Sequence, residues 1–186
     1  RNFLNIFSPN LMVRYAPMHM RNLSGDDVNL RYANLYSLNK TSEIEDGLSA
    51  ILGFDYKKNE KLPNGSNREK FSLSVGQVFN RKENKDMPRK SSLHQKTSDV
   101  VGEMNYNFSE IGNIGYKFSL DENLNNLNYN EVSTSLNFGK VAFNLDYLEE
   151  TNHVGNEHYV NAGVSLNFNN NNSLSFETKK NYGTCN

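Results

Sequence analysis

The sequence predicts an all-β fold: an antiparallel, up-and-down transmembrane β-barrel, of which these 186 residues hold about 8–10 strands, a fragment of a larger barrel. Three observations lead there. Phe108, Phe138 and Phe168 recur at a constant spacing, and each closes a run of alternating residues just before a short turn. The spacing accommodates two strands of about 10 residues with one short and one long connection, the layout of a sheet whose strands can cross a bilayer. Finally, only 36 % of residues are hydrophobic and mean hydropathy is −0.74. Nothing approaches the ~20 apolar residues of a membrane helix, whereas a barrel needs apolar residues only at alternate positions.

Taken in order, the predicted strands are 9–16, 28–37, 46–57, 70–81, 98–108, 113–121, 130–138, 141–149, 158–168 and 173–182. Prolines at 9, 17, 63 and 88 stay out of the strand interiors, as ladder N–H groups require. The last six strands alternate most clearly. One face carries Val100, Met104, Tyr106 and Phe108, then Ile114, Tyr116, Phe118 and Leu120, then Val132, Leu136 and Phe138. It continues through Val141, Phe143, Leu145 and Tyr147, then Val160 to Phe168 at alternate positions, and ends with Leu174 and Phe176. The opposite face carries Glu103, Asn105, Lys117, Ser119, Ser133, Ser135, Asn144, Asp146, Asn161, Ser165, Ser175 and Glu177. Such a set suits a hydrated lumen better than a dry core.

Alternation also describes one sheet of a soluble sandwich, so three further features matter. The runs exceed the five or six residues usual in soluble strands. Aromatics gather toward strand ends, where interfacial girdles form. Connections alternate in length: 109–112 and Gly139-Lys140 are short, 122–129 and 150–157 long. Short periplasmic turns and long outer loops are the barrel rule, and only the 59–69 connection is longer than it asks. The polar, basic stretch 82–97 reads as a solvated outer loop, with contact to anionic headgroups as the alternative.

Composition excludes several classes. Net charge is −1, with signs mixed along the chain, which does not favour a nucleic-acid partner. The lone Cys185 cannot bridge within the chain. No charged start followed by an apolar segment marks a signal peptide; since such a protein must be exported, the chain is expected to be a fragment. The asparagine run at 169–172 is ascribed to codon bias, being too short for a low-complexity tract. His19, His94, His153 and His158 fall in loops or at strand edges. His153, Glu157 and His158 beside Glu149 and Glu150 lack the regular helical spacing of a metal site. Ser133 and Ser135 lack a mid-strand histidine for nucleophilic work. No catalytic, cofactor-binding or metal-ligating residue is expected.

The succession PNLMVRYAP, NLYSLNK, GLSAILGFDY, FSLSVGQVFNRK, SDVVGEMNYNF and YKFSLDENL resembles the C-terminal barrel region of the LptD family, the lipopolysaccharide-assembly proteins of the Gram-negative outer membrane. Val75-Gly76-Gln77 followed by Phe79, and Asp99-Val100-Val101-Gly102 after a polar loop, are its most specific pieces. The resemblance implies that 1–186 is a partial barrel domain of a larger protein with a periplasmic jelly-roll. It also implies an LptE-like lipoprotein plug as partner, and lipopolysaccharide leaving through a lateral opening into the outer membrane. It implies no active-site residue. Gly76 is expected to permit close strand approach or a bulge and Gln77 to supply lumen hydrogen bonds. Members carry cysteines that bridge barrel and periplasmic domain; Cys185 lies outside that strand context, and the role is not transferred to it.

Two other classes fit the pattern less well. A passive porin or other small outer-membrane barrel should end in an aromatic strand terminus, whereas this chain ends Gly-Thr-Cys-Asn. A soluble β-sandwich adhesin would need a second sheet to cover the apolar face.

Overall fold

The computed structural model describes residues 2–17, 19–41, 43–108, 110–169 and 172–183; Cys185 lies outside them. Nine strands form one antiparallel sheet in sequence order: β1 (Phe3–Ala16), β2 (Gly47–Lys61), β3 (Asn67–Asn80), β4 (Val100–Asn107), β5 (Gly112–Leu120), β6 (Leu127–Phe138), β7 (Val141–Glu150), β8 (His158–Asn169) and β9 (Asn172–Asn181). Each strand pairs with its neighbours in the chain, so the expected run of six hairpin-linked strands after residue 98 is present. Among the described residues β1 pairs only with β2 and β9 only with β8. The sheet is therefore open, not closed into a barrel.

The register joins the apolar residues into one surface. Directly opposed residues share a face, and Val160, Tyr147, Val132 and Tyr116 stand opposite one another in turn. So do Phe176, Val164, Phe143 and Leu136. The same face extends through Phe71, Leu73 and Val75 of β3 to Phe54, Leu52, Leu11 and Val13. Among the described residues nothing forms a second layer over it: Leu11 is 68 % exposed, Phe7 62 % and Phe176 69 %.

All short turns lie at one edge of the sheet: 62–66, 108–111, Gly139-Lys140 and the step from Asn169 to Asn172. The long connections 17–46, 81–99, 121–126 and 151–157 lie at the other. The connection that looked too long in sequence shortens to 62–66, because β2 and β3 run further than their apolar cores. Pro9, by contrast, sits inside β1, which starts at Phe3 rather than at residue 9. An edge strand paired on one side tolerates a missing N–H.

Two expectations fail here. Residues 28–37 are not a strand: they carry a single helical turn, α1 (Tyr32–Leu35), inside the long 17–46 connection. The Arg31 N–H donates to Asn34 Oδ1 at 2.9 Å, satisfying a helix-start donor locally, while Leu30 and Leu35 are buried at 3 % and 0 % exposure. Nor is 82–97 a solvated loop. Met87, Pro88, Ser91, Ser92 and Leu93 are buried, with a 3-10 turn at Arg89–Ser91. Both connections fold back over the polar-side face of the sheet. Leu30, Leu35, Met87 and Leu93 there cover Ile51, Val78 and Val101, forming the core.

Candidate functional site

The polar face has two parts. Over β5–β9 it is an open groove of about 330 Å³ lined by Ser133, Ser135, Asn144, Asp146, Asn161 and Glu177 among others. These are largely the residues expected to face a lumen. Over β2–β4 the groove is filled by the inturned connections.

Sequence pattern explains how they are seated. Inward positions of β2 and β3 place Gly53 opposite Gly76, leaving a shallow seat without side chains. A Cβ on Gly76 would lie 2.4 Å from Leu35 Cδ2, and one on Gly53 would lie 3.0 Å from the Gly76 Cα. Gly76 thus permits the close approach expected of it, with the α1 turn as well as with the neighbouring strand. Gly76→Val should consequently lever Leu35 out at about 1–3 kcal/mol, the usual cost of overpacking. Faster tryptic cleavage at Arg21 and Arg31 of the solubilised intact protein would report it; an unchanged rate would rule out the packing role.

Beside this seat, Asp55 accepts hydrogen bonds from Asn10 Nδ2 at 2.6 Å, Tyr32 O–H at 2.7 Å and Ser74 O–H at 2.6 Å. Burial, and then the Asp55 carboxylate it bonds, push the Tyr32 phenol well above its ordinary range. Arg14 of β1 donates to Asn39 Oδ1 at 3.2 Å and to the Glu45 carbonyl. The Glu45 carboxylate in turn accepts the backbone N–H groups of Lys40 and Thr41. Burial holds the Lys40 ammonium below its usual range, against the opposing pull of Glu45. A third clamp crosses the face: the Arg31 guanidinium lies 3.4 Å from the centroid of the Tyr129 ring on β6 and 3.7 Å from Glu150 of β7.

The second inturned connection is anchored by Asp99, which is 2 % exposed. Its carboxylate accepts Ser119 O–H at 2.8 Å and Asn128 Nδ2 at 2.9 Å and stands 3.0 Å from His153 Nε2. Its N–H donates to Ser92 Oγ at 2.9 Å. One carboxylate therefore ties the 81–99 connection to β5, β6 and the 151–157 connection. Burial, then the nearby His153, depress the affinity of His94 for a proton.

Gln77 departs from expectation. It pairs with Leu52 on the apolar face, between Val75 and Phe79, and its amide donates to the Ser98 carbonyl at 2.8 Å. It ties β3 to the residues just before β4 and does not face the polar groove. The histidine–glutamate group at 149–158 disperses: His153 turns to Asp99, Glu150 to Arg31, and His158 meets Tyr147 edge-on at 5.5 Å and Tyr182 at a tilt at 5.2 Å. Ser133 and Ser135 line the groove. Sequence reasoning missed Arg14, Arg31, Asp55 and Tyr129. Asp55 alone left a readable trace, an acid directly after the apolar run Ala50–Phe54.

The seat glycine and the buried acid belong to the two segments singled out as most specific, Val75-Gly76-Gln77 and Asp99-Val100-Val101-Gly102. Gly102 completes the second: a Cβ there would lie 2.4 Å from the Phe118 ring and 2.8 Å from the Ser74 carbonyl. Among the described residues no helix is long and apolar enough to cross a membrane, which says nothing of crossing by strands. No curated protein matches the chain. The family profile of LptD, LPS transport system D, matches residues 1–179, and with nearly the whole chain covered, this protein belongs to the LptD family.

Proposed function

We propose that this chain is part of the outer-membrane translocon that assembles lipopolysaccharide into the outer leaflet, and that residues 1–186 are a portion of its C-terminal barrel domain. One observation carries the reading beyond family membership: a nine-stranded sheet with a continuous, uncovered apolar face on one side and a polar groove on the other. Exposed apolar patches on water-soluble monomers are usually no larger than a few hundred Å², so a face of this extent calls for lipid. Closed barrels bury every strand edge; the free edges of β1 and β9 would find partners in further strands of the same barrel. The long connections would then face outward and the short turns the periplasm.

On this reading the polar face borders the lumen, where an LptE-like lipoprotein and lipopolysaccharide are the partners, and outer-membrane lipids surround the opposite face. The role is transport and assembly rather than catalysis. Depleting the protein in its native cell should remove newly made lipopolysaccharide from the surface, measured by surface labelling. Unchanged surface lipopolysaccharide would contradict the proposal, whatever the fold.

A further inference from the structure

The apolar face carries two ammonium groups near its short-turn edge. Lys58 stands opposite Phe71 and, on its other side, Asn5, so its side chain leaves on the apolar side. Beyond it the register slips: Lys58 pairs with Phe71 but Asn59 with Glu69, leaving Lys70 as the extra residue of a bulge. Bulges re-aim side chains, and here the Lys70 ammonium comes to 5.2 Å from the ring centroid of Tyr106, which pairs with Phe71 on the apolar face. Lys58 Nζ lies 4.6 Å from the ring centroid of Phe3. The two cations thus flank the Phe71–Tyr106 pair.

Their neighbours behave differently. Lys57 lies 3.5 Å from Glu69 and Arg68 2.7 Å from Glu60. Among the described residues Lys58 and Lys70 have no carboxylate within ion-pair distance, only an aromatic ring each. A lysine on the lipid face is costly at the bilayer centre but nearly free at the interface, where its stem lies along apolar surface and its head reaches the phosphates.

We propose that Lys58 and Lys70 form a binding site for the phosphate of an anionic phospholipid in the leaflet at the short-turn edge. The proposal rests on the lipid-facing assignment made under the proposed function. The ammonium groups rest over rings on β1 and β4, so to hold one phosphodiester both side chains would swing inward over Phe71, and the Phe3 and Tyr106 rings would border its glycerol and upper acyl chains. The phosphates of lipid A offer the same chemistry, but on this orientation they belong to the leaflet at the opposite, long-connection edge.

The test is titration of the intact protein in detergent with short-chain phosphatidylglycerol, read by native mass spectrometry, against phosphatidylcholine and lipid A. Lys58→Gln with Lys70→Gln should weaken the tightest phosphatidylglycerol adduct about five-fold per lysine, and Lys58→Arg with Lys70→Arg should restore it. Phosphatidylcholine binding should not change. Undiminished phosphatidylglycerol binding by the glutamine variant, an equal loss of phosphatidylcholine, or preferential occupation by lipid A would each overturn the proposal. Failure of the underlying assignment would show elsewhere, in equal tolerance of charge on the two faces at Val164 and Ser165.

Discussion

Val164→Arg should sharply reduce the amount of correctly assembled protein, while Ser165→Arg should leave it nearly intact. Val164 lies midway along β8, between Phe143 and Phe176 on the uncovered apolar face. Arginine near the bilayer midplane costs about 2–4 kcal/mol in membrane barrels, a large part of the ~5–15 kcal/mol that holds a typical fold together. Ser165, one residue on, points to the other side and lines the polar groove, where a guanidinium stays hydrated and Asp146 and Glu177 are nearby lining residues. Heat-modifiable gel mobility of the intact protein extracted from membranes separates the two. Equal loss for both variants would show that the two faces are assigned wrongly.

The second large effect is expected at Asp99. Alanine there removes the acceptor for Ser119 O–H and Asn128 Nδ2 and the carboxylate facing His153. Buried donors left unpaired cost about 1–3 kcal/mol each, so with the two donors Ser119 O–H and Asn128 Nδ2 unsatisfied Asp99→Ala should destabilise the inturned connection by roughly 2–6 kcal/mol. The strands keep their own ladders, and the loss should be local. Tryptic nicking at Lys85, Arg89, Lys90 and Lys96 should rise steeply, with the folded-strand signature retained. Asp99→Asn, which keeps an acceptor oxygen, should fall between. An unchanged digestion pattern for the alanine variant would mean that other contacts hold the connection down.

Both predictions depend on which side of the sheet a residue occupies, and that is largely legible in the chain. A period of two needs only local sequence, because successive strand residues point to opposite faces whatever lies around them. The alternation alone therefore assigns Phe118 and Lys117, or Leu136 and Ser135, to opposite faces. The edge-to-edge arrangement is legible for the same reason: hairpins join neighbours in sequence, and their short turns fall at one edge.

The inturned connections are not legible in this way. In 28–37 the leucines and tyrosines look like a strand, but no adjacent strand offers them a ladder; Gly53 and Gly76 instead leave a seat that one helical turn fills. In 82–97 the charges suggest solvent, yet Met87 and Leu93 pack beneath while Lys90 stays outside and pairs with Asp27 at 2.9 Å. Gln77 misleads in the opposite direction. Its polar side chain suggests the polar face, although its strand position places it among apolar neighbours, where the Ser98 carbonyl satisfies it.

By itself the sequence determined the all-β class, eight of the nine strands to within a few residues at most ends, the two faces and the family, since these follow from alternation and from short segments in fixed order. Tertiary structure alone decided that the first and second long connections, 17–46 and 81–99, lie over the polar face, that Asp99 and Asp55 are shared anchors, and that a bulge turns Lys70 toward the apolar side. Each of those depends on contacts between residues distant in the chain, such as Arg31 with Tyr129 and Asp99 with Asn128. A local pattern records which face a residue takes, but not what will be folded against it.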